Sequence, residues 1–147
     1  MKILNSSERK KILNKLNEQF GIKNLPYKIL QFVKEKLRIY SGNINNNQLK
    51  ILDKVLHIET IGLYFGKLDD SEIRLTIDGV KLLKNEISKN IVELDNSQFR
   101  EWMGGLMISL FSEPGYKIIK FKEDFLGCGK SNGKMILNSI PKERRIR

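Results

Sequence analysis

The run Tyr116-Lys117-Ile118-Ile119-Lys120-Phe121, followed by Phe125-Leu126-Gly127-Cys128-Gly129, then Asn132-Gly133, then Met135-Ile136-Leu137, decides the reading of this chain. The first segment is rich in β-branched and aromatic residues, as a strand requires, and the second is short and apolar. Asn-Gly is the strongest short hairpin signal. Together they predict an antiparallel meander. Its exit, Asn138-Ser139-Ile140-Pro141, leads into Lys142-Glu143-Arg144-Arg145-Ile146-Arg147, where Pro141 stops regular pairing and four cations face a single acid. A meander with glycines where another backbone can approach, beside such a tail, reads as a surface for a polyanion.

Upstream, Ile91 to Leu94 reads as a strand, and Asp95-Asn96 caps a short helix from Ser97 to Met103 that Gly104-Gly105 stops. Further back, Asn5 with Glu8 forms a capping box for a helix over residues 6 to 20, ending at Gly21. Tyr27 to Val33 and Leu37 to Tyr40 read as strands joined by Lys34-Glu35-Lys36. A short helix, Gln48 to Val55, follows the capping run Asn45-Asn46-Asn47. His57 to Gly66 and Ile73 to Leu75 read as an antiparallel pair turned by Asp69-Asp70-Ser71, and Thr76 caps a helix from Ile77 to Ile87. The pattern divides the chain into residues 1–89 and 90–147, two halves packed as one body without repeats or long linkers.

With 147 residues and 40% hydrophobic content, the chain has enough apolar material for a packed core. Its net charge is +10, from 27 Lys and Arg against 17 Asp and Glu, which favours nucleic acid or another anionic partner. The chain lacks alanine and is crowded with Ile, Lys and Asn, so part of the lysine excess is compositional background. The placement of the charges must carry the argument. No stretch approaches the roughly 20 apolar residues of a membrane span, and Met1-Lys2-Ile3-Leu4-Asn5 turns polar too soon for a signal peptide. A cytoplasmic protein without membrane contact is expected. The lone Cys128 forms no internal disulfide, in keeping with a reducing compartment.

Catalytic candidates are sparse. His57 is the only histidine and reads as structural, and Cys128 reads as a small packed residue. A dyad of these two is the nucleophilic arrangement that the composition permits. Gly127-Cys128-Gly129-Lys130 lacks Walker spacing and leads into a hairpin where a phosphate loop needs a helix. Gly62 and Gly66 do not build a dinucleotide turn, so adenosylmethionine binding is not expected. Asp78 or Asp95 would have to serve a small RNA-modifying enzyme, without an acid-base constellation around them. The expectation is a protein that is not an enzyme, with no cofactor and no metal.

Phe99 and Trp102 lie three apart on one helical face and read as core, which turns Arg100 to another face where it can meet phosphate. On the first meander strand Lys117 shares a side with Phe121, whereas Lys120 and Lys122 share the other with Tyr116 and Ile118. Lys142, Arg144, Arg145 and Arg147 are close enough to act together on a nucleic-acid backbone; a solvated terminus is the alternative.

The glycine pair Gly127 and Gly129, the hairpin and Leu137-Asn138-Ser139-Ile140-Pro141-Lys142 resemble the end of a PUA domain, most of all the PUA-like domains that accompany RNA cytosine-5 methyltransferases. In the first half, Leu37-Arg38-Ile39-Tyr40, Thr60 to Lys67, Ile73-Arg74-Leu75-Thr76 and Val80-Lys81-Leu82-Leu83 follow in an order similar to the pre-PUA domain of the nuclear-import-protein-seven type of ribosome biogenesis factor. The two resemblances cover residues 37 to 147 and imply an α+β fold. In it an N-terminal α/β pre-PUA-like domain packs on a C-terminal PUA-like β pseudo-barrel. They also imply RNA near Arg100, Met103, Gly104, Gly105, the strand from Lys117 and the turn Gly127, Gly129, Lys130, to which the tail adds Lys142, Arg144 and Arg145. The expected function is non-catalytic binding of structured rRNA or tRNA, or their precursors, in RNA modification or ribosome biogenesis. An RNA cytosine-5 methyltransferase is the expected protein partner. The alternative is a protein-interaction subunit of such an enzyme or of a ribosome-assembly particle, docked through the apolar stretch Leu106 to Phe111.

Overall fold

Asn5 opens the first helix as the sequence predicts: its side chain accepts the Glu8 amide at 2.9 Å while the Glu8 carboxylate accepts the Asn5 amide at 3.0 Å. The computed structural model describes residues 1–147, and in it this helix, α1, spans Ser6–Phe20 and ends at Gly21 with φ 74°. Ile12, Leu16 and Phe20 line its buried stripe.

That stripe packs on an antiparallel sheet whose five strands lie in chain order: β1 (Lys2–Ile3), β2 (Lys28–Gln31), β3 (Lys36–Tyr40), β4 (Leu63–Asp69) and β5 (Glu72–Leu75). β1 has two residues, too few to show a period, and was not expected from the sequence. Between β3 and β4 the chain forms α2 (Asn46–Leu56), with a capping box of Asn45 and Gln48. The strand expected from His57 begins six residues later. His57 is instead the exposed C-cap of α2, at φ 47°, and Gly62 at φ 78° bends the chain where any Cβ would meet the Ile39 carbonyl oxygen. After β5, Thr76 caps α3 (Ile77–Leu83), its hydroxyl accepting the Gly79 amide at 3.0 Å. This helix stops four residues short of the expected Ile87, which is nevertheless buried.

The second half adds β6 (Ile91–Glu93), α4 (Asn96–Met103), β7 (Ile108–Ser109), β8 (Gly115–Phe121), β9 (Asp124–Ser131) and β10 (Met135–Leu137). Their order is β6-β8-β9-β10-β7, antiparallel except that β6 runs parallel to β8. The meander is therefore present. β7 is a second two-residue strand that the sequence did not betray. Strict alternation fails on β8: Tyr116, Lys117, Ile118 and Ile119 are all buried. The cause is that both faces of the strand are covered. Tyr116 and Ile118 join Cys128, Leu16, Phe20, Phe65 and Ile73 in the larger core. Ile119 joins Leu94, Trp102, Ile108, Ile136 and Ile140 in a smaller one.

The fold is thus mixed α and β, with two five-stranded sheets. The larger core draws on residues before and after Lys89 alike, so burial on each side supports the other. No helix is long and apolar enough to cross a membrane.

Candidate nucleic-acid interface

Six of the expected contact residues gather at one corner. Asp95 caps α4 by accepting the Gln98 amide at 2.8 Å, which spends that carboxylate on the helix start. Trp102 is fully buried beneath the helix, and Arg100 is exposed, as helical spacing predicts. Phe99 departs from the expected core position: it is half-buried and stacks on Phe121, ring centroids 4.1 Å apart.

The tail returns to the end of this helix. Pro141 leads into one 3-10 turn, Lys142–Arg144, after which the Ile146 amide donates to the Met103 carbonyl at 2.8 Å. The Arg145 Nε donates to the Ile140 carbonyl at 3.1 Å, and its side chain lies against Gly105, where a Cβ would fall 2.5 Å from that nitrogen. Gly105, at φ 91°, therefore makes room for the arginine. The result brings Arg100, Gly104, Gly105, Lys142, Arg144 and Arg145 together. Arg144 pairs with Asp78 of α3 at 3.2 Å, with both side chains about half exposed.

Met103 packs its side chain against the smaller core, and four further expected residues are placed differently. Lys117 is 6% exposed, and its ammonium donates to the Asn90 side chain at 2.9 Å, so it ties the start of β6 to β8 and does not reach a surface. Gly127 and Gly129 are buried as well. At Gly127, φ 125°, a Cβ would fall 3.1 Å from Ile77, and at Gly129 one would fall 2.6 Å from both Trp102 and Ile136. These glycines admit α3 and the indole, which is a packing role. Lys130 lies at the far end of β9 with its ammonium 3.1 Å from Asp69 and 5.1 Å from the centroid of the Tyr116 ring.

Asp69 joins the two sheets. It accepts the Tyr116 hydroxyl at 2.5 Å as well as the Lys130 ammonium, and these two bonds hold its carboxyl below the usual range. Burial, with Asp69 adding to it, pushes the Tyr116 hydroxyl far above its ordinary pKa. A cleft of about 230 Å³ opens nearby between the sheets, lined in part by Tyr64, Arg74, Thr76, Asp78, Ser139 and Arg144. Sequence reasoning missed Tyr64 and Arg74 as surface candidates, although their alternation on strands was visible in the apolar pattern around them. Cys128 is among the residues lining this cleft, yet it is buried and its thiol is pushed up to about 12. His57, by contrast, is exposed at the end of α2.

Residues 89–146 match the family model for the PUA domain of the methyltransferase RsmF. The PUA-matching segment runs from the residue before β6's approach through the tail, and so takes in the whole second sheet, α4 and the basic corner. No curated protein matches the chain.

Proposed function

We propose that this chain is a non-catalytic RNA-binding protein whose PUA-matching half docks structured rRNA or tRNA, or a precursor, for an RNA-modifying enzyme. A cytosine-5 methyltransferase is the simplest such partner, and the N-terminal half then serves as a pre-PUA-like support. The observation that carries this reading is the meeting of α4 and the tail: Arg145 and Ile146 are held against the end of the helix that carries the exposed Arg100, inside the segment that matches a methyltransferase PUA domain. Arginine forks suit phosphate oxygens, and the exposed Gly104 has no side chain to keep a backbone away. An absence of chemistry is in keeping with a Cys128 thiol that burial keeps protonated at neutral pH.

The test is titration of a folded transfer RNA or ribosomal hairpin at several salt concentrations. Micromolar or tighter binding with a log-log salt slope of about −2 to −5 is expected from a handful of phosphate contacts. Replacing Arg100, or Arg144 and Arg145 together, with Ala should weaken binding about fivefold or more, roughly 1 kcal/mol, and flatten the slope. Binding to neither RNA at low salt refutes the reading. A second reading is favoured by the exposure of Leu106, Met107 and Phe111 around β7: this apolar edge docks a protein partner, with an affinity that hardly responds to salt.

A further inference from the structure

The inner face of the first sheet is apolar: Leu37, Ile39, Phe65, Ile73 and Leu75 point into the larger core. The outer face of β3, β4 and β5 carries Lys36, Arg38, Tyr64, Lys67 and Arg74, the register shift at Leu37/Arg38 bringing Tyr64 and Lys67 to one side, and it continues into Asp69 and Glu72. The register aligns these in two rows. Arg38 is the direct partner of Tyr64, while Lys36 faces Lys67 and Lys67 faces Arg74. Three cations in register on three adjacent strands form a ridge about 10 Å long.

Like charges directly opposite one another destabilise a sheet. None of Lys36, Arg38, Lys67 and Arg74 has a carboxylate within salt-bridge distance, although Lys2, Lys130 and Arg144 each do. Asp69, two residues along the same face, feels the charge of Lys67, but no carboxylate forms an ion pair with any of the four cations. Beside it stands a half-exposed aromatic. Tyr64 has the Lys36 ammonium 5.4 Å and the Arg38 guanidinium 5.7 Å from its ring centroid. Arg38 is itself held by the Gly62 carbonyl at 2.8 Å and lies 5.8 Å from the centroid of Phe32. Tyr64 and Arg74 also line the cleft between the sheets, whose opposite wall includes Arg144 of the tail.

We propose that the outer face of β3, β4 and β5 binds an unpaired RNA segment, with a base stacked on Tyr64 and phosphates on Lys36, Lys67 and Arg74. Stacking on an aromatic flanked by cations is how single-stranded nucleic acid is held without demanding a sequence. These cations, outside any ion pair, are complementary to a phosphate chain, and the cleft gives the segment a route toward Arg144. This surface lies outside the PUA-matching residues 89–146, and it goes beyond the docking of structured RNA proposed above.

The experiment uses the full chain and a fluorescein-labelled oligouridylate of about 12 nucleotides, too simple to fold, followed by anisotropy against salt. Tyr64→Ala should weaken binding about tenfold, as loss of one stacked base implies, whereas Tyr64→Phe, which keeps the ring, should bind like the parent. Lys67→Gln with Arg74→Gln should reduce the log-log salt slope by about 1.4, the single-strand value for two phosphates. The same pair should leave the thermal midpoint unchanged or raised, because it removes a like-charge contact. Normal oligouridylate binding by a folded Tyr64→Ala protein overturns the proposal, as does equal weakening by Tyr64→Phe. Displacement of the oligonucleotide by poly-glutamate, together with an unaltered Tyr64→Ala affinity, also overturns it, since the face then attracts charge alone. Failure here is distinguishable from failure of PUA docking: that reading falls when the Arg144 and Arg145 variants bind structured RNA normally, whatever the oligouridylate does.

Discussion

Removing one oxygen from Tyr116 tests how the two sheets are tied. The Tyr116 hydroxyl and the Lys130 ammonium both donate to one oxygen of Asp69, across a boundary where the larger core is continuous. A hydrogen bond to a charged group contributes about 1.5 to 3 kcal/mol when shielded. The Asp69 side chain is 40% exposed, so solvent screening reduces the expected value to about 1 kcal/mol. For a chain of this length Tyr116→Phe should therefore lower the thermal midpoint by about 3 °C at pH 7. The pH dependence sharpens the test. Asp69 binds its proton more weakly folded than unfolded, so its contribution is present above the ordinary value of 3.8 and is lost as pH falls through the depressed one. The Tyr116→Phe penalty should shrink accordingly when unfolding in urea is repeated near pH 3. At the other end, the raised hydroxyl pKa makes the parent lose stability as pH climbs beyond 10, a loss that the phenylalanine variant lacks. A penalty as large at pH 3 as at pH 7, or none at pH 7, refutes the bond as the source of the tie.

Two further predictions concern buried groups of the second half. Trp102 is fully buried with an indole Nε1 that has no hydrogen-bond partner, so Trp102→Ala should cost about 3 kcal/mol in denaturant unfolding. Trp102→Phe, which removes the unpaired donor and keeps most of the ring, should stay within about 1 kcal/mol of the parent. For Cys128, burial raises the thiol to about 12, so iodoacetamide at pH 8 should label it only at the rate of unfolding; fast labelling of the native protein would show that the β9 packing is open.

What the sequence disclosed follows from which signals are local. The capping boxes at Asn5, Asn45 and Asp95 each sit where the residue types require, because a cap is decided within four residues. The hairpin at Asn132-Gly133 was legible for the same reason. Strands β1 and β7 were not, since two residues have no period and owe their place to partners far along the chain. The site was legible at the Arg100 corner, where helical spacing and a charge cluster are both local. It was misread at Lys117, Gly127 and Gly129. A lysine on a strand is ordinarily a surface residue, and only the double coverage of β8 places this one on Asn90. A glycine pair signals close approach without saying of what, and here it is Ile77 and Trp102 that approach.

The distribution of charge then assigns different work to cations that composition treats alike. Lys130 and Arg144 are neutralised at the seam between the halves, by Asp69 and Asp78, and Lys117 is consumed by Asn90. Lys36, Arg38, Lys67 and Arg74 on the outer face of the first sheet, like Arg100 and Lys142, lie outside any ion pair. A partner carrying a continuous line of negative charge gains from both open sets without breaking the ties that hold the sheets together. Because the larger core is shared, the angle between these sets is fixed before binding, which spares the partner the cost of ordering them. Loosening the seam through Tyr116→Phe would therefore weaken an RNA that spans both surfaces more than an oligonucleotide that occupies only one.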